Sequence, residues 1–230
     1  MTPKLSKRIS AIISLVPDKA LVCDVGTDHG YLGIHLIRAG IAQRVIATDI
    51  AQKPLNNARK NIERAKVENI ELRLCDGLQA VSPDETNTVI IAGMGGEVIS
   101  GILERNFNVT KQSSIKLILQ PTTAHEHLRK FLICNGYEIL KEIPVFENNK
   151  HYSVMLVSYT KKTQTVPHYY YFIGSLSPDT ADGYSYINWQ LSRCIESMNG
   201  LKNKPDRYDS FLYYKSIYDG INNYLKSFGE

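Results

Sequence analysis

The sequence predicts an α/β fold: five parallel strands separated by helices, a closing antiparallel hairpin, and a helical unit after it. Three observations carry this. Short apolar, β-branched runs alternate with helical patterns across residues 20–136, the rhythm of repeated βαβ units. After Gly136 the rhythm breaks, because "YEILKEIPVF" and "HYSVMLVSY" are separated only by "ENNK", too short for a crossover helix. Beyond residue 165 the strand signals give way to two apolar stripes at helical spacing.

Thr2 and Pro3 form an N-cap and first-turn pair, opening a helix whose Leu5, Ile9, Ile12, Ile13 and Val16 share one face until Pro17. "ALVCDV" at 20–25 is apolar enough to be a strand buried on both faces, and further strands are expected at 44–48, 70–74, 88–92 and 115–119. Helices are expected over 31–39, closed by Gly40; over 54–66, with Leu55, Ala58, Ile62 and Ala65 inward; over 97–105; and over 124–135, closed by Gly136. In the tail, "FIGSLSPDTADG" reads as an irregular entry. Tyr184, Ile187, Leu191, Cys194, Met198 and Leu201 then make one stripe, and Phe211, Tyr214, Tyr218, Ile221, Leu225 and Phe228 a second, with a turn at 202–205. Two matched stripes predict an antiparallel helical hairpin. Tyr186, Tyr208 and Tyr213 fall outside the stripes and are expected to offer contact surface. The chain thus divides into residues 1–165 and 166–230.

With 230 residues there is room for one ordinary domain and an appendage. The net charge of +4 is uneven: residues 1–165 carry 21 basic and 16 acidic side chains, the remainder 6 and 7. Attraction for a polyanion therefore falls to the first part. Cys23, Cys75, Cys134 and Cys194 form no Cys-x-x-Cys pair, which argues against a zinc site and a disulfide framework. Without a signal core or a run of membrane-spanning length, the expectation is a soluble, cytoplasmic monomer that uses no metal and no membrane.

The chemistry concentrates at strand ends. "VCDVGTDHGYLG" stops an apolar run on acids and glycines, and a core strand gains nothing from Asp24 or Asp28. Gly26 and Gly30 are spaced Gly-x-x-x-Gly, so the Gly-x-Gly-x-x-Gly cradle for a dinucleotide pyrophosphate is incomplete. An acid two residues before Gly26 disfavours a phosphate but suits an ammonium or sulfonium group. Asp49 ends "VIATDI" 23 residues after Gly26, where a carboxylate accepts the hydroxyl protons of a ribose. Asp76 and Gly77 end "RLCDG", and "AGMGG" at 92–96 ends the fourth strand. Each alone is an ordinary turn. Together they occupy the carboxyl edge, where open α/β sheets bind ligands.

The Asp24-x-Gly26 turn and hairpin-closed sheet resemble the class I (Rossmann-like) S-adenosylmethionine-dependent methyltransferases, which implies a seven-stranded sheet. More closely, "LSKR", "DVGTDHGYL", "ATDI", "CDG", "AGMGG", "LILQP" and "HYSVMLV", in that order over residues 5–157, resemble the TrmK family of bacterial tRNA methyltransferases. That family methylates N1 of adenosine 22 in the D-arm. The chain departs from its pattern at Thr122, where the family has Asn, and at Gly30, where it has Ala. The resemblance implies S-adenosylmethionine as cofactor, tRNA as partner and a C-terminal coiled coil that contacts tRNA. With the strand-end reading it places cofactor contacts at Arg8, Asp24, Gly26, Thr27, His29, Gly30, Asp49, Ile50, Asp76, Gly77, Gly93, Met94 and Gly95. Arg8 has three readings: the cofactor carboxylate, the tRNA backbone, or solvent.

Methylases of exocyclic amines carry an Asn/Asp-Pro-Pro-aromatic loop at the fourth strand, and "AGMGG" is not one. A ring nitrogen such as adenine N1 keeps an in-plane lone pair, so positioning alone suffices. The product is a cation. Asp28 is the candidate to stabilise it, its alternative being a helix cap. Tyr31, the second catalytic candidate, either stacks on a flipped adenine or packs. His125 and His127, two apart on a predicted surface helix, are poor metal ligands. Two other functions stay open: a methyltransferase for another RNA or a small molecule, and a non-catalytic module that binds S-adenosylmethionine or RNA.

Overall fold

The computed structural model of the chain describes residues 5–228; the expected Thr2–Pro3 cap lies outside them. Helix α1 (Lys7–Ile13) starts at Ser6, whose Oγ accepts from the Ile9 N–H at 3.2 Å. There follow β1 (Ala20–Val25), α2 (Tyr31–Arg38), β2 (Ala42–Asp49), α3 (Gln52–Ala65), β3 (Ile70–Leu74), β4 (Thr88–Gly95), α4 (Gly96–Arg105), the single turn α5 (Phe107–Thr110), β5 (Lys116–Thr123) and α6 (His125–Cys134). The hairpin is β6 (Tyr137–Glu147) and β7 (Lys150–Tyr159), and α7 (His168–Ile173), α8 (Ala181–Leu201) and α9 (Tyr208–Lys226) complete the chain.

The seven strands form one sheet in the order β3-β2-β1-β4-β5-β7-β6. β1 to β5 pair in parallel, and β7 lies antiparallel between β5 and β6. The strand order reverses between β1 and β4, so a crevice opens at the carboxyl ends of those two strands. Val22, Cys23 and Val25 of β1 and Val89, Ile90 and Ile91 of β4 are all buried, feeding cores on both faces of the sheet. Those apolar runs explain why β1 and β4 are central strands.

The structure differs from the sequence expectation in specific places. β4 and β5 run three and four residues past their expected ends, because the "AGMGG" and "QPTT" segments continue to pair through two irregularities in register. The hairpin loop shrinks to Asn148 and Asn149, both left-handed, the conformation a two-residue turn demands. α6 is not a surface helix: His125 is 2% exposed and sits edge-on to Tyr186 and Trp189, while His127 hydrogen-bonds Ser100. In the tail, residues 174–180 are irregular as expected, but α7 stands just before them, where no helix was expected. It changes which faces are covered. Tyr186, expected as contact surface, is fully buried, and Tyr184, assigned to the stripe, is 57% exposed. Tyr208 and Tyr213 are exposed as expected. Phe172, Ile173, Ile187, Leu191, Cys194, Ile217 and Ile221 form the tail's own apolar cluster.

The tail is joined to the rest of the fold by the hydrogen bonds of a buried arginine that is itself ion-paired to the sheet. The guanidinium of Arg129 on α6 donates to Glu142 of β6 at 2.6 and 3.0 Å, to the carbonyls of Tyr171 and Phe172 at 3.0 and 2.9 Å, and to the Tyr186 hydroxyl at 3.1 Å. Among the described residues no helix is long and apolar enough to cross a membrane, and no group of three or more metal-ligating side chains gathers.

Candidate functional site

At the end of β1 the chain reverses through three left-handed residues, Gly26, Asp28 and Gly30. The N–H groups of Gly26 and Thr27 both donate to the Thr48 carbonyl, pinning the turn to β2. A Cβ at Gly26 would collide with the Met94 methyl. Gly30 caps α2 by conformation alone, and a Cβ there would meet Ala58 of α3 at 3.2 Å. No side chain caps this helix, so Asp28 is released from the capping role that was its alternative reading.

Asp24 is buried at the base of the turn. Its Oδ2 accepts from the Thr27 hydroxyl at 2.8 Å. Desolvation pushes its pKa up to about 6, the Thr27 hydrogen bond opposes that, and the charge of Asp49 adds to it. A carboxylate held at such cost is poised for a cation. Asp28 sits above it, largely exposed and 3.3 Å from His29 Nε2, and the rings of His29 and Tyr31 stack at 5.6 Å. Tyr31 is 53% exposed, so it does not pack into the core.

Arg8 approaches from α1. Its guanidinium lies over the Tyr152 ring at 5.1 Å and donates to Gln120 Oε1 at 3.3 Å, while its buried Nε has no partner among the described residues. Gln120 is fully buried within β5. Its Oε1 also accepts from the Gly93 N–H at 3.1 Å, and its Nε2 donates to the Pro121 carbonyl. A single amide thus ties Arg8 to the glycine bend near the end of β4. At Gly93, with φ +80°, a Cβ would meet nothing within 4 Å, so the bend faces open space.

These residues enclose two cavities that share Gly26. The first, 420 Å³, is lined by Arg8, Asp24, Thr27, Asp28, His29, Tyr31, Gly93 and Gln120 among others. The second, 340 Å³, is walled by Asp49, Ile50, Cys75, Asp76, Gly77, Met94, Val98 and Arg105. Asp49 Oδ1 accepts from the Ala51 N–H, leaving the second oxygen for a ligand, and Arg105 lies 3.4 Å from Asp76. Gly30 and Gly95 line neither cavity. Gly95 instead lets Thr123 approach, since a Cβ there would stand 3.1 Å from its Oγ1. Thr122 supports β4 by donating to the Met94 carbonyl at 3.1 Å.

Gln120, Cys75, Val98 and Arg105 line these cavities without having been expected there. Gln120 carried the same signal as Asp24, a polar residue ending a buried apolar run. Chemically, the first cavity offers a guanidinium for an anion, a buried carboxylate for an amine, and an exposed carboxylate beside an aromatic ring. The second offers an acceptor for a diol and apolar walls at Ile50, Met94 and Val98 for a planar ring.

Comparison with known proteins gives a consistent family. The methyltransferase-domain profile matches residues 5–155. The tRNA (adenine(22)-N(1))-methyltransferase of Bacillus subtilis strain 168 is 32% identical over 154 residues, 66% of this chain and 64% of that protein. The match therefore spans less than two thirds of that relative's length. The solved structure of a putative tRNA (m1A22) methyltransferase of Streptococcus pneumoniae, in complex with S-adenosyl-L-methionine, superposes with a TM-score of 0.78. It is 28% identical and covers 94% of this chain and 100% of its own. The structure of B. subtilis TrmK, 23% identical, shares the fold with a TM-score of 0.85 over 96% of this chain and 98% of its own.

Proposed function

For a chain that belongs to the methyltransferase-domain family, and within it to the TrmK family, we propose a tRNA methyltransferase that uses S-adenosylmethionine to methylate N1 of adenosine 22 in the D-arm. The observation that carries the reading is the pair of cavities meeting at Gly26, on the carboxyl edge of the sheet, with an amine-binding acid in one and a diol-binding acid in the other. The donor set fits the cofactor. Asp24 suits its ammonium group, the unpartnered Arg8 Nε its carboxylate, Asp49 its ribose, and Asp76 and Gly77 between Ile50 and Val98 its adenine. Met94 and Gly26 form the waist between the two halves, and Gly93 leaves the bend open for close approach of a base. Thr27 and His29 complete the first wall.

When bound, S-adenosylmethionine supplies a methyl group on a sulfonium, an electrophile that needs no further activation. The protein's task is then to present a ring nitrogen to it. Adenine N1 has an in-plane lone pair, so no group has to remove a proton before attack. Tyr31 offers a face on which the extruded base stacks, and the neighbouring His29 ring extends that platform. Asp28, exposed at the mouth and left-handed in backbone, places negative charge where the methylated ring becomes cationic. Asp24 serves the bound amine rather than the chemistry.

In this reading residues 1–165 form the transferase and residues 166–230 hold tRNA. The Arg129 network fixes the tail's place, while the exposed Tyr208 and Tyr213 give it aromatic surface. The test is to incubate the protein with labelled S-adenosylmethionine and unmodified tRNA and to map the modified nucleotide. Label at N1 of adenosine 22 is expected. Label elsewhere in RNA, or turnover of free adenosine at a similar rate, would replace the reading with a different substrate. No transfer, with cofactor binding intact, would favour a non-catalytic module.

A further inference from the structure

The tail cannot supply the electrostatic grip that an RNA substrate requires, since residues 166–230 carry seven acids and six bases. The grip lies elsewhere. Residues 52–66 hold Lys53, Arg59, Lys60, Arg64 and Lys66 against the single acid Glu63, a surplus of four that equals the net charge of the whole chain, +4. Nearly all of this segment is α3. The helical repeat of 3.6 residues puts Lys53, Lys60 and Arg64 within an arc of about 40° on the solvent side, opposite the buried Leu55 and Ala58. At 1.5 Å per residue the three cations form a ridge about 16 Å long. All three are exposed, and among the described residues none has a carboxylate within 4.0 Å.

Cations on a folded surface with acids nearby ordinarily pair with them, as Arg44 and Arg73 do with Glu71 and Glu85. The α3 ridge does not. It is also fixed to the turn that carries the proposed base-handling residues. Asn61 Nδ2 donates to the His29 carbonyl at 2.9 Å, and Ala58 packs against Gly30. The flank of α3 that touches the Asp28–Tyr31 turn therefore stands beside the ridge, and Asp28, His29 and Tyr31 of that turn line the first cavity. We propose that Lys53, Lys60 and Arg64 form a phosphate-binding ridge that takes the RNA backbone next to the nucleotide turned into the cleft. This rests on the tRNA reading. It assigns affinity to α3 and leaves shape selection to the tail. The work is divided by charge: extruding a base has an unstacking cost, which binding energy realised away from the reacting atom must offset.

The test compares three full-length proteins: wild type; Lys53→Gln/Lys60→Gln/Arg64→Gln; and a variant of equal charge, Lys130→Gln/Lys141→Gln/Lys162→Gln, whose lysines are exposed elsewhere. Binding of unmodified tRNA is titrated across salt concentrations, and methylation is measured against tRNA concentration. Each phosphate left without its cation should lower the slope of log affinity against log salt by about one. The ridge variant should therefore lose about two to three units of slope and raise KM for tRNA about tenfold or more. Its kcat at saturating tRNA and its S-adenosylmethionine affinity should stay unchanged, the latter also reporting that the fold is intact. Restoring charge with Lys53→Arg/Lys60→Arg should leave binding as in the wild type. Equal losses in the two Gln variants would reduce the effect to net charge and overturn the ridge. A ridge variant that binds like wild type would overturn it as well, with the tRNA reading intact. A wild-type protein that neither binds nor methylates tRNA would overturn both.

Discussion

Asp24 gives the most quantitative prediction, because one buried carboxylate sets both a proposed cofactor contact and a cost to folding. Its pKa of about 6 against an ordinary 3.8 is a difference of about two units, or about 3 kcal/mol at 1.36 kcal/mol per unit. The folded state binds more protons than the unfolded state between those two values, so the stability contributed by this group is full below pH ~4 and is lost as pH rises through ~6. Asp24→Asn keeps an acceptor for the Thr27 hydroxyl and removes the buried charge. The apo variant should therefore be more stable than wild type at pH 7, by up to about 3 kcal/mol, with the advantage vanishing near pH 4. Binding runs the other way. If the ionised form holds the cofactor's amine, roughly nine-tenths of the sites are competent at pH 7 and roughly one-tenth at pH 5, so the apparent affinity should fall about tenfold between them. Calorimetry in two buffers of different ionisation enthalpy should show about half a proton released per cofactor bound at pH 6. Asp28 and His29 line the same cavity, and Asp24→Asn separates their contribution from that of Asp24. A wild-type affinity flat from pH 5 to 7, or an Asn variant no more stable than wild type at pH 7, would refute the assignment.

Asp49→Ala should weaken S-adenosylmethionine binding by roughly 1 to 3 kcal/mol, since two hydroxyl groups lose their acceptor; wild-type affinity by titration calorimetry would remove Asp49 from the ribose contact. Asp28→Asn is compatible with the left-handed backbone at residue 28. It should lower kcat more than cofactor affinity, and equal losses would make Asp28 part of the turn only. A chain ending at residue 165 should retain cofactor binding, because every proposed cofactor contact precedes that point, yet lose most tRNA methylation and melt at a lower temperature. Methylation at the full-length rate would reassign the tail to stability. Arg129→Ala leaves Glu142 buried without its cation and should cost about 3 to 5 kcal/mol; a loss below about 1 kcal/mol in denaturant unfolding would show the pair to be dispensable.

What the sequence made legible was decided within a few residues. Asp24, Gly26 and Asp28 were readable because an apolar strand ending in acids and glycines has few explanations, and Asp49 and Asp76 repeat that signal on the neighbouring strands. The hairpin was readable because four residues cannot hold a crossover helix. Where a role depends on a partner far along the chain, the local sequence carries no such signal. "HLRKFL" gives Arg129 the look of a solvated arginine, and only Glu142, Tyr186 and the last carbonyls of α7 account for its complete burial. α7 itself, "HYYYFI", has six residues and no polar face to give a period. Without it the stripe in α8 was set by spacing alone, and Tyr186 went to the wrong side.

That same network bears on how a tail with no net positive charge would serve the proposed tRNA methyltransferase. Gly96 opens α4 directly after the glycine bend, and a Cβ there would collide with the Ala124 carbonyl at the start of α6. Five residues on, Arg129 of α6 carries the last carbonyls of α7 and the hydroxyl of Tyr186 in α8. An unbroken run of close packing and buried hydrogen bonds thus connects the glycine bend at the end of β4 to the helices of the tail. His125 belongs to this run. Burial pushes its pKa down to about 3, with the charge of Arg129 adding to the effect, so it stays neutral between Tyr186 and Trp189 and carries no switchable charge near neutrality. Because α7 and α8 hold a fixed place relative to Gly93 and α9 shares their apolar cluster, exposed Tyr208 and Tyr213 of α9 would, in the proposed function, act by position instead of by charge, and an RNA helix gripped on α3 would be accepted only if its shape also reached them.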